Sequence, residues 1–414
     1  MPVLALKNGE PLRKKPFATW PKYDEREKKY LNEVLESGNW GGFPAPNKKA
    51  GELAEKFAAY CGTRFGICCS NGSVSLEMAL KAGGVKAGDE VIVPALTWVA
   101  TAGCAVHINA VPVFVDIDPE TYCIDAEKIE EAVTNRTKAI IPVHLGASVA
   151  DMDRIMDIAA RRNLLVIEDC AHAHGAEWRG KRVGSIGHFG SFSFQSSKLV
   201  TAGEGGMITT SNPLYAMICN SLVNCGRKEE GYTEFDGWLF GWNNRLSELH
   251  AAILLAQMER YDEVTEKRAV MARYFCERLA SEVKGLTPLK RDPGHTRQTF
   301  YQLVMKYESG NFKGLHRDRF VAALEAEGVE FDGSFYVPVY QSPLFNVTAD
   351  EWPIIRERYG DGVWNAGISC PVAFNAAYNE SVWMHYHYFD GTREDIDDII
   401  AAIKKIQNNV KELL

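Results

Sequence analysis

The stretch that decides the fold covers residues 164–206 and reads LLVIEDCAHAHGAEWRGKRVGSIGHFGSFSFQSSKLVTAGEGG. Its first apolar run ends in Asp169, and a second apolar run, residues 189–194, is followed by Lys198. If the two runs are neighbouring strands of one sheet, the carboxylate and the amine emerge at the same edge. Such a pair suits a pyridine cofactor, because a carboxylate can bind the ring nitrogen and an amine can bind the aldehyde.

Each of these two residues has an ordinary alternative interpretation. A carboxylate just after a strand often caps the next helix, and most lysines are solvated surface groups. The occurrence of both, each at the end of an apolar strand, favours a chemical role over the two alternatives.

Bulk properties limit the classes of protein to consider. A chain of 414 residues exceeds the size at which single cores stop growing, so we predict a large domain at residues 1–260, which includes an N-terminal arm, and a smaller domain at residues 261–414. The net charge of -8 and the lack of an extended Lys/Arg run argue against a nucleic-acid partner.

We expect no secretory signal and no membrane span. Ten scattered cysteines without a CxxC pair indicate reduced thiols and a cytoplasmic protein.

Strand-like and helical patterns alternate from residue 51 to residue 210, which indicates a mostly parallel sheet covered by helices on both faces. The predicted strands are residues 64–69, 90–93, 111–115, 139–143, 164–167, 189–194 and 207–209. A helical tract at residues 246–283, expected to break or bend near residues 257–262, leads out of the large domain. The remainder is predicted to be α+β, with strands at 299–306 and 329–332, a helix at 316–327, and a last helix that Thr392 and Asp395 begin as a capping box.

Other strand ends carry candidate ligand-binding residues. Gly72 and Ser73 follow the first strand at a helix start, where free N–H groups can hold a phosphate; an ordinary N-cap is the alternative. A helix terminus contributes only about 0.3–1 kcal/mol, so retention of a cofactor would also need a covalent anchor. Trp98 either stacks on a flat ring or belongs to the core. Ser193, close to Lys198, can donate to the phosphate.

A metal site and a dinucleotide site are both disfavoured. His172 and His174 lack a third ligand at a recognisable spacing, and His385 and His387 form a similarly incomplete pair. The glycines of residues 203–206 have the wrong spacing for a dinucleotide-binding fingerprint and precede a strand. We therefore expect no metal.

An ordered set of motifs carries a family resemblance over nearly the whole chain. The motifs are NGSVSLEMAL, VIVPALTWVAT, KAIIPVHL, VIEDCAHAHGA, SFSFQSSKLVTAGEGG and GWNNRLSELHAA. This set resembles the DegT-type sugar aminotransferases, which use pyridoxal 5'-phosphate (PLP) and have the aspartate-aminotransferase fold. The resemblance implies a three-layer α/β fold of type I, with a mostly parallel central sheet and a smaller α+β C-terminal domain.

The resemblance also implies roles for individual residues. Lys198 matches the lysine that forms a Schiff base with PLP, and Asp169 matches the acid bonded to the pyridine nitrogen. Trp98 matches the aromatic residue that stacks on the ring. His172, at a position that commonly holds Gln in the family, is expected to contact the cofactor and to take part in catalysis.

Phosphate contacts are implied at four further positions. Gly72, Ser73 and Ser193 match phosphate-binding residues of the same subunit. Asn243 matches an asparagine that reaches the phosphate of the neighbouring subunit, so the resemblance implies a homodimer with active sites at the subunit interface.

The sequence departs from the family pattern in ways that bear on the substrate. His172 and the run AHAHGAEWRGKRVG resemble the 3-amino-5-hydroxybenzoate synthase branch. Tyr336-Val337-Pro338-Val339-Tyr340 replaces the Tyr-x-Pro-Leu-His of many nucleotide-sugar members. The runs TYCID, KAIIPVHL and RQTFYQL resemble aminotransferases for inosose cyclitols. Lys198 argues against the dehydrating relatives, which carry histidine there.

The predicted function is transfer of an amino group from glutamate or glutamine to a keto-sugar or keto-cyclitol, in amino-sugar or antibiotic-type biosynthesis. Two alternatives stay open. The protein is an aromatising synthase similar to 3-amino-5-hydroxybenzoate synthase, or it is a PLP-binding regulator without turnover, for which the sequence offers no helix-turn-helix and no basic arm.

Overall fold

The computed structural model describes residues 3–43, 45–228, 239–348, 350–354, 356, 364 and 367–414. In these ranges the helices are α1 Glu25–Ser37, α2 Lys48–Cys61, α3 Gly72–Ala82, α4 Ala100–His107, α5 Ala126–Ala132, α6 Met152–Arg162, α7 Pro213–Val223, α8 Glu248–Glu282, α9 Arg317–Ala326, α10 Pro371–Asn375 and α11 Arg393–Asn408. The strands are β1 Phe65–Cys69, β2 Glu90–Pro94, β3 Val111–Val115, β4 Thr137–Ile140, β5 Leu165–Asp169, β6 Glu177–Trp178, β7 Lys181–Arg182, β8 Phe189–Ser193, β9 Gly206–Thr210, β10 Leu286–Pro288, β11 His295–Arg297, β12 Gln302–Tyr307 and β13 Ser381–His385.

A central seven-stranded sheet has the order β1-β9-β8-β5-β4-β2-β3. Strands β3, β2, β4, β5 and β8 run parallel, whereas β9 is antiparallel to both β8 and β1. The predicted mostly parallel sheet is therefore confirmed. Strands β5 and β8 are neighbours, with Asp169 in register with Ser191, so the chain leaves both strands at the same edge.

The predicted break in the long helix is wrong, because α8 runs for 35 residues without interruption. The polar run at residues 257–262 stays helical since its polar groups have distant partners. Gln257 is buried and donates to Glu27 and to the carbonyl of Lys22, and Arg260 pairs with Glu27. Helix α8 consequently crosses the predicted domain boundary at residues 260–261.

The predicted strand at residues 329–332 is also wrong. A single bridge joins Asp332 to Trp383 of β13. Immediately after it, Gly333 packs so tightly on Arg317 that an added Cβ would lie 2.7 Å from Nε. The chain turns at this point, so a longer ladder does not form.

The C-terminal part has its own antiparallel sheet, β10-β12-β13, and its own core. Helix α11 begins with the predicted capping box of Thr392 and Asp395. Its apolar stripe is fully buried, and each such side chain stabilises the fold by about 1.5–3 kcal/mol. The stripe consists of Ile396, Ile399, Ile400, Ile403 and Ile406. Among the described residues, no helix has both the length and the apolar character that crossing a membrane requires.

Candidate active site

Asp169 is the last residue of β5 and is buried at the edge where β5 and β8 end. Its carboxylate accepts hydrogen bonds from Thr101 Oγ1 at 2.9 Å and from the Ala171 N–H at 3.2 Å. Burial raises the pKa of Asp169, while these hydrogen bonds and the charge of Lys198 oppose the change. The predicted acid and the predicted lysine therefore act on each other in one site.

Lys198 ends a tight turn that follows β8. Its backbone N–H donates to the carbonyl of Gln195 at 2.8 Å, and its Nζ lies 4.5 Å from the centroid of the Tyr301 ring. Burial lowers the pKa of Lys198 from 10.5 to about 8, against the opposing effect of Asp169. The amine therefore has a substantial neutral fraction close to neutral pH, as a nucleophile requires.

This pKa predicts how fast the apo-protein captures PLP as the pH changes. Because only the neutral amine attacks an aldehyde, the capture rate is expected to rise with pH to a midpoint near 8 instead of 10.5. The measurement is the rate of the absorbance change after PLP is added, across about pH 6–10. A midpoint at the ordinary lysine value would contradict a buried amine at this position.

His172 is held by two polar contacts and one ring contact. Its Nδ1 accepts from the Gly146 N–H at 3.3 Å, and its Nε2 lies 3.1 Å from Tyr336 Oη. Burial, followed by the charge of Lys198, lowers the pKa of His172 well below its usual value. Because a backbone N–H can only donate, the neutral imidazole carries its proton on Nε2 and donates it to Tyr336. Its ring stacks on Tyr301 at 4.0 Å.

Tyr336→Phe is expected to lower the free energy of unfolding by about 1–3 kcal/mol, because the buried His172 N–H loses its acceptor. Denaturant unfolding of the two proteins gives the difference. Tyr378→Phe is a suitable control, since the Tyr378 hydroxyl bonds only to Gln341 in an exposed position, and we expect it to stay within about 0.5 kcal/mol. Equal stabilities of wild type and Tyr336→Phe would contradict the assigned hydrogen bond.

The structure brings the predicted phosphate-binding residues of one subunit together. Asn71 caps α3 by accepting from the Val74 N–H at 2.9 Å, and Gly72 and Ser73 form the first turn. A Cβ on Gly72 would lie 2.7 Å from Cβ of Ser193, so glycine is required for this close approach. The N-terminus of α3 and the Ser193 side chain thus lie side by side, an arrangement suited to an anion.

Trp98 and Asn243 occupy more exposed positions. Trp98 is 60% exposed and its ring centroid lies 6.5 Å from that of Tyr336; the core alternative for Trp98 is therefore excluded. Asn243 is exposed and its backbone bridges to Asn224, while the carbonyl of the next residue, Asn244, accepts from the Ser70 N–H at 2.8 Å.

His174 and His144 lie near the site, and their surroundings bear on the question of a metal. His174 is buried among the rings of Phe57, Phe192 and Phe194, and burial lowers its pKa to about 3. In the described ranges, His144, Glu168 and Cys170 lie close enough together to hold an ion.

The polar atoms of this group already have protein partners. Nδ1 of His144 accepts from the Ala150 N–H, so its Nε2–H donates to Glu168 Oε2 at 3.2 Å. The second carboxylate oxygen accepts from the N–H groups of Ile186 and Gly187. These hydrogen bonds satisfy the buried charge without a metal, and the absence of a metal stays a prediction.

Sequence reasoning missed the functional interest of Tyr301, and it singled out Tyr336 only as part of a motif. Both rings pack around His172. The available signal was the aromatic content of the runs RQTFYQL and YVPVY, which does not reveal a contact with a residue more than a hundred positions away.

A buried acid and a buried lysine at the carboxyl edge of a parallel sheet, beside a helix N-terminus, define an enzyme that uses a phosphorylated pyridine cofactor. The family described as the DegT/DnrJ/EryC1/StrS aminotransferase family matches residues 21–404. The chain belongs to this family. The predicted family, fold type and enzyme class are thereby confirmed, and so is PLP as the cofactor of the family.

Three similar proteins cover almost the entire chain. A protein of Streptoalloteichus tenebrarius, provisionally named L-glutamine:3-amino-2,3-dideoxy-scyllo-inosose aminotransferase, is 48% identical over 99% of both chains. The L-glutamine:scyllo-inosose aminotransferase of Streptomyces griseus is 38% identical over 99% of both chains. The crystal structure of 3-amino-5-hydroxybenzoic acid synthase superposes with a TM-score of 0.81 at 31% identity, covering 94% of this chain and 98% of that one.

Proposed function

We propose that this protein transfers the amino group of glutamine, or of glutamate, to the ketone of an inosose-like cyclitol, as a step in amino-sugar or antibiotic-type biosynthesis. The observation that carries the proposal is full-length similarity to two proteins named as L-glutamine:inosose aminotransferases. It is supported by Asp169 and Lys198, which are both buried and whose charges act on each other. Keto-sugars, which carry a ketone among several hydroxyl groups as an inosose does, are the broader class to which the proposed acceptor is related.

The residues present fit PLP, and each has a distinct task. When bound, PLP supplies an aldehyde that exchanges amines and a ring that accepts electrons. Lys198 would anchor the group through its amine, and the same amine would carry a proton to and from the substrate carbon. Asp169 keeps the proton on the ring nitrogen, and its burial between Thr101 and Ala171 fixes its direction.

The remaining predicted contacts orient the cofactor and exclude water. The first turn of α3, with Gly72 and Ser73, and the Ser193 hydroxyl hold the phosphate. Trp98, whose ring is exposed, would contact the cofactor ring. His172, neutral and fixed by Gly146 and Tyr336, would help to hold the cofactor without competing for the proton on its ring nitrogen.

A substrate panel with isotopically labelled glutamine tests the proposal. The panel contains an inosose, a 2-deoxyinosose, a nucleotide-linked keto-sugar and an aminodehydroquinate-like ring. We expect the label to appear in the amine made from an inosose, as detected by mass spectrometry. Transfer only to the nucleotide-linked ketone would overturn the cyclitol acceptor, and replacement of glutamine by glutamate in parallel reactions identifies the donor.

The aromatising synthase is the second candidate function, and the 31% identity to a synthase of known structure favours it. Such an enzyme would convert the aminodehydroquinate-like ring to an aromatic product without an amino donor. Appearance of aromatic ultraviolet absorption in a donor-free reaction would select this alternative over transamination.

An exposed aromatic surface supports the homodimer. We define this surface by Trp40, Phe43, Phe240 and Trp242, which are 56–77% exposed. Its two loops come close to each other near Arg227. The Arg227 guanidinium lies 5.2 Å from the Phe43 ring centroid, and the preceding Gly226 packs against the backbone of Leu239 and Gly241. A monomer seldom exposes so many large apolar groups together. A second copy of the chain is the proposed partner, and Asn243, next to Trp242, then reaches the phosphate in the partner's site.

Mixing two inactive variants tests this shared site. In a mixed dimer of Lys198→Ala and Asn243→Ala subunits, one site carries both changes and the other carries neither. Random mixing in equal amounts should therefore restore about a quarter of wild-type activity. Activity no higher than the sum of the two parents would show that Asn243 acts within its own subunit. Refolded single variants serve as the control for subunit exchange.

A cytosolic location completes the proposal. All ten cysteines are free thiols, and eight of them are buried. Burial raises the pKa of Cys68 and Cys170 well above the usual value, which keeps these thiols protonated and unreactive. Free buried thiols are typical of proteins from a reducing compartment.

A further inference from the structure

We propose that Trp20, Tyr301 and Tyr386 are positioning residues that hold the turn carrying Lys198. We call residues 195–198 the lysine turn. This inference rests on the proposed role of Lys198 as the cofactor anchor, and it assigns to three distant aromatic residues the task of presenting that amine.

The three rings each donate one hydrogen bond to the lysine turn. Trp20 Nε1 donates to the Ser196 carbonyl at 3.0 Å, and Tyr386 Oη donates to the Ser197 carbonyl at 3.0 Å. Tyr301 Oη lies 2.9 Å from Ser197 Oγ. Three donors from three separate segments thus meet two consecutive residues directly before Lys198.

The direction of the Tyr301 hydrogen bond follows from the partners of Ser197. Its hydroxyl donates to Gln195 Oε1 at 2.8 Å, and the same oxygen accepts from the Ser197 N–H. Because the single Ser197 proton is already used, Ser197 Oγ accepts from Tyr301. The lysine turn therefore offers three hydrogen-bond acceptors, namely the carbonyl oxygens of Ser196 and Ser197 and Ser197 Oγ. Each of them accepts from one of the three aromatic side chains.

A buried ion pair keeps two of the rings in place. Arg268 on α8 binds Asp390 through two hydrogen bonds of 2.8 and 2.9 Å. Its guanidinium lies 4.9 Å from the Trp20 ring and 4.4 Å from the Tyr386 ring, while the two rings meet edge to face at 5.2 Å. Cation–π contacts of this kind are strongest when buried, so the pair orders both donors.

The third ring serves both the turn and the amine. Tyr301 donates its hydroxyl proton to the turn and presents its face to Lys198 Nζ. It also stacks on His172. Without the hydroxyl hydrogen bond the Tyr301 ring could move and admit water to the Lys198 amine. Hydration would then raise the pKa of Lys198 towards that of an ordinary lysine.

The groups that face Lys198 make its titration measurable without interference. They are Asp169, His172 and His174, from the segment that ends and follows β5, and His385 at the end of β13. Burial lowers the pKa of His174 and of His385 to about 3 and that of His172 well below its usual value. The three imidazoles therefore stay neutral while Lys198 titrates.

The experiment compares Tyr301→Phe and Tyr386→Phe with Tyr388→Phe as the matched control. Tyr388 lies two residues from Tyr386 and is equally buried, but its hydroxyl bonds to Glu330. Two quantities are measured on the apo-protein: the pH midpoint at which an amine-specific reagent labels the Lys198 peptide, and the rate at which added PLP becomes covalently attached and trapped by borohydride.

Both test variants are expected to raise the labelling midpoint by about one unit and to slow PLP capture about 10-fold at neutral pH, whereas Tyr388→Phe leaves both at wild-type values. Wild-type values in either test variant, or equal changes in the control, would overturn the proposal. If a tyrosine variant does not fold, Trp20→Phe, which removes a donor from the half-buried arm, takes its place in the comparison. No amino donor or ketone enters these measurements, so a failed substrate assignment leaves their outcome unaffected.

Discussion

Replacing Lys198 by alanine is expected to abolish covalent attachment of PLP and to lower the turnover number by at least about 10²–10⁴-fold. In the proposed mechanism the lysine has two tasks, anchoring the cofactor and transferring the proton, that no neighbour can take over. It is the amine that the chain places beside Asp169 with a pKa of about 8, and the histidines around it are neutral at working pH. The attachment is measured by mass spectrometry after borohydride reduction, and the turnover by release of the keto acid from the donor.

Two additions make this result specific. Lys181→Ala changes an exposed lysine on β7 and is expected to retain full attachment and turnover. A small primary amine supplied to Lys198→Ala should restore part of the rate, because it can carry the proton that the side chain carried. An attached cofactor in Lys198→Ala would show that another amine is the anchor.

The sequence was sufficient for the fold wherever a local pattern and its tertiary setting agree. The apolar run before Asp169 became β5, because an uninterrupted apolar strand can be buried on both faces. The prediction of a break in α8 was wrong because there the local pattern and the tertiary contacts disagree. Gln257 and Arg260 look like solvent-facing residues, yet they bond to Glu27, about 230 positions earlier. A contact so distant in sequence leaves no local trace.

The same distinction applies to the candidate site. Residues that follow strands, such as Asp169 and Gly72, were predictable because the edge of a parallel sheet collects them. The rings around Lys198 were not predictable, since Trp20, Tyr301 and Tyr386 come from an arm and from two segments of the C-terminal part. Their function depends on which hydroxyl or indole proton reaches the lysine turn, and only the three-dimensional arrangement determines that.

Replacing Asp169 by asparagine is expected to leave PLP bound but to slow transamination by about 10²–10⁴-fold. An amide cannot hold the proton on the ring nitrogen, so the ring accepts electrons poorly. The change also leaves one of two donors without a partner, because the Thr101 hydroxyl and the Ala171 N–H bind different carboxylate oxygens and asparagine has only one acceptor oxygen. A loss of about 1–3 kcal/mol in the free energy of unfolding should accompany it. Cofactor content, single-turnover rates and denaturant unfolding are measured on the same preparation.

Glu168→Gln separates the chemical effect from the loss of stability. Glu168 precedes Asp169 on the same strand and points to the opposite face of the sheet, where its carboxylate accepts from His144 and from two backbone N–H groups. In Glu168→Gln the side-chain NH2 group would face the His144 Nε2–H, so two donors would meet. This should lower the free energy of unfolding by about 1–3 kcal/mol, as in Asp169→Asn. The rate should nevertheless remain near wild type, since the Glu168 carboxylate is bonded to His144, Ile186 and Gly187 and is not proposed to contact the cofactor. Equal rates for Asp169→Asn and Glu168→Gln would show that the carboxylate of Asp169 supports the fold and not the chemistry of the ring.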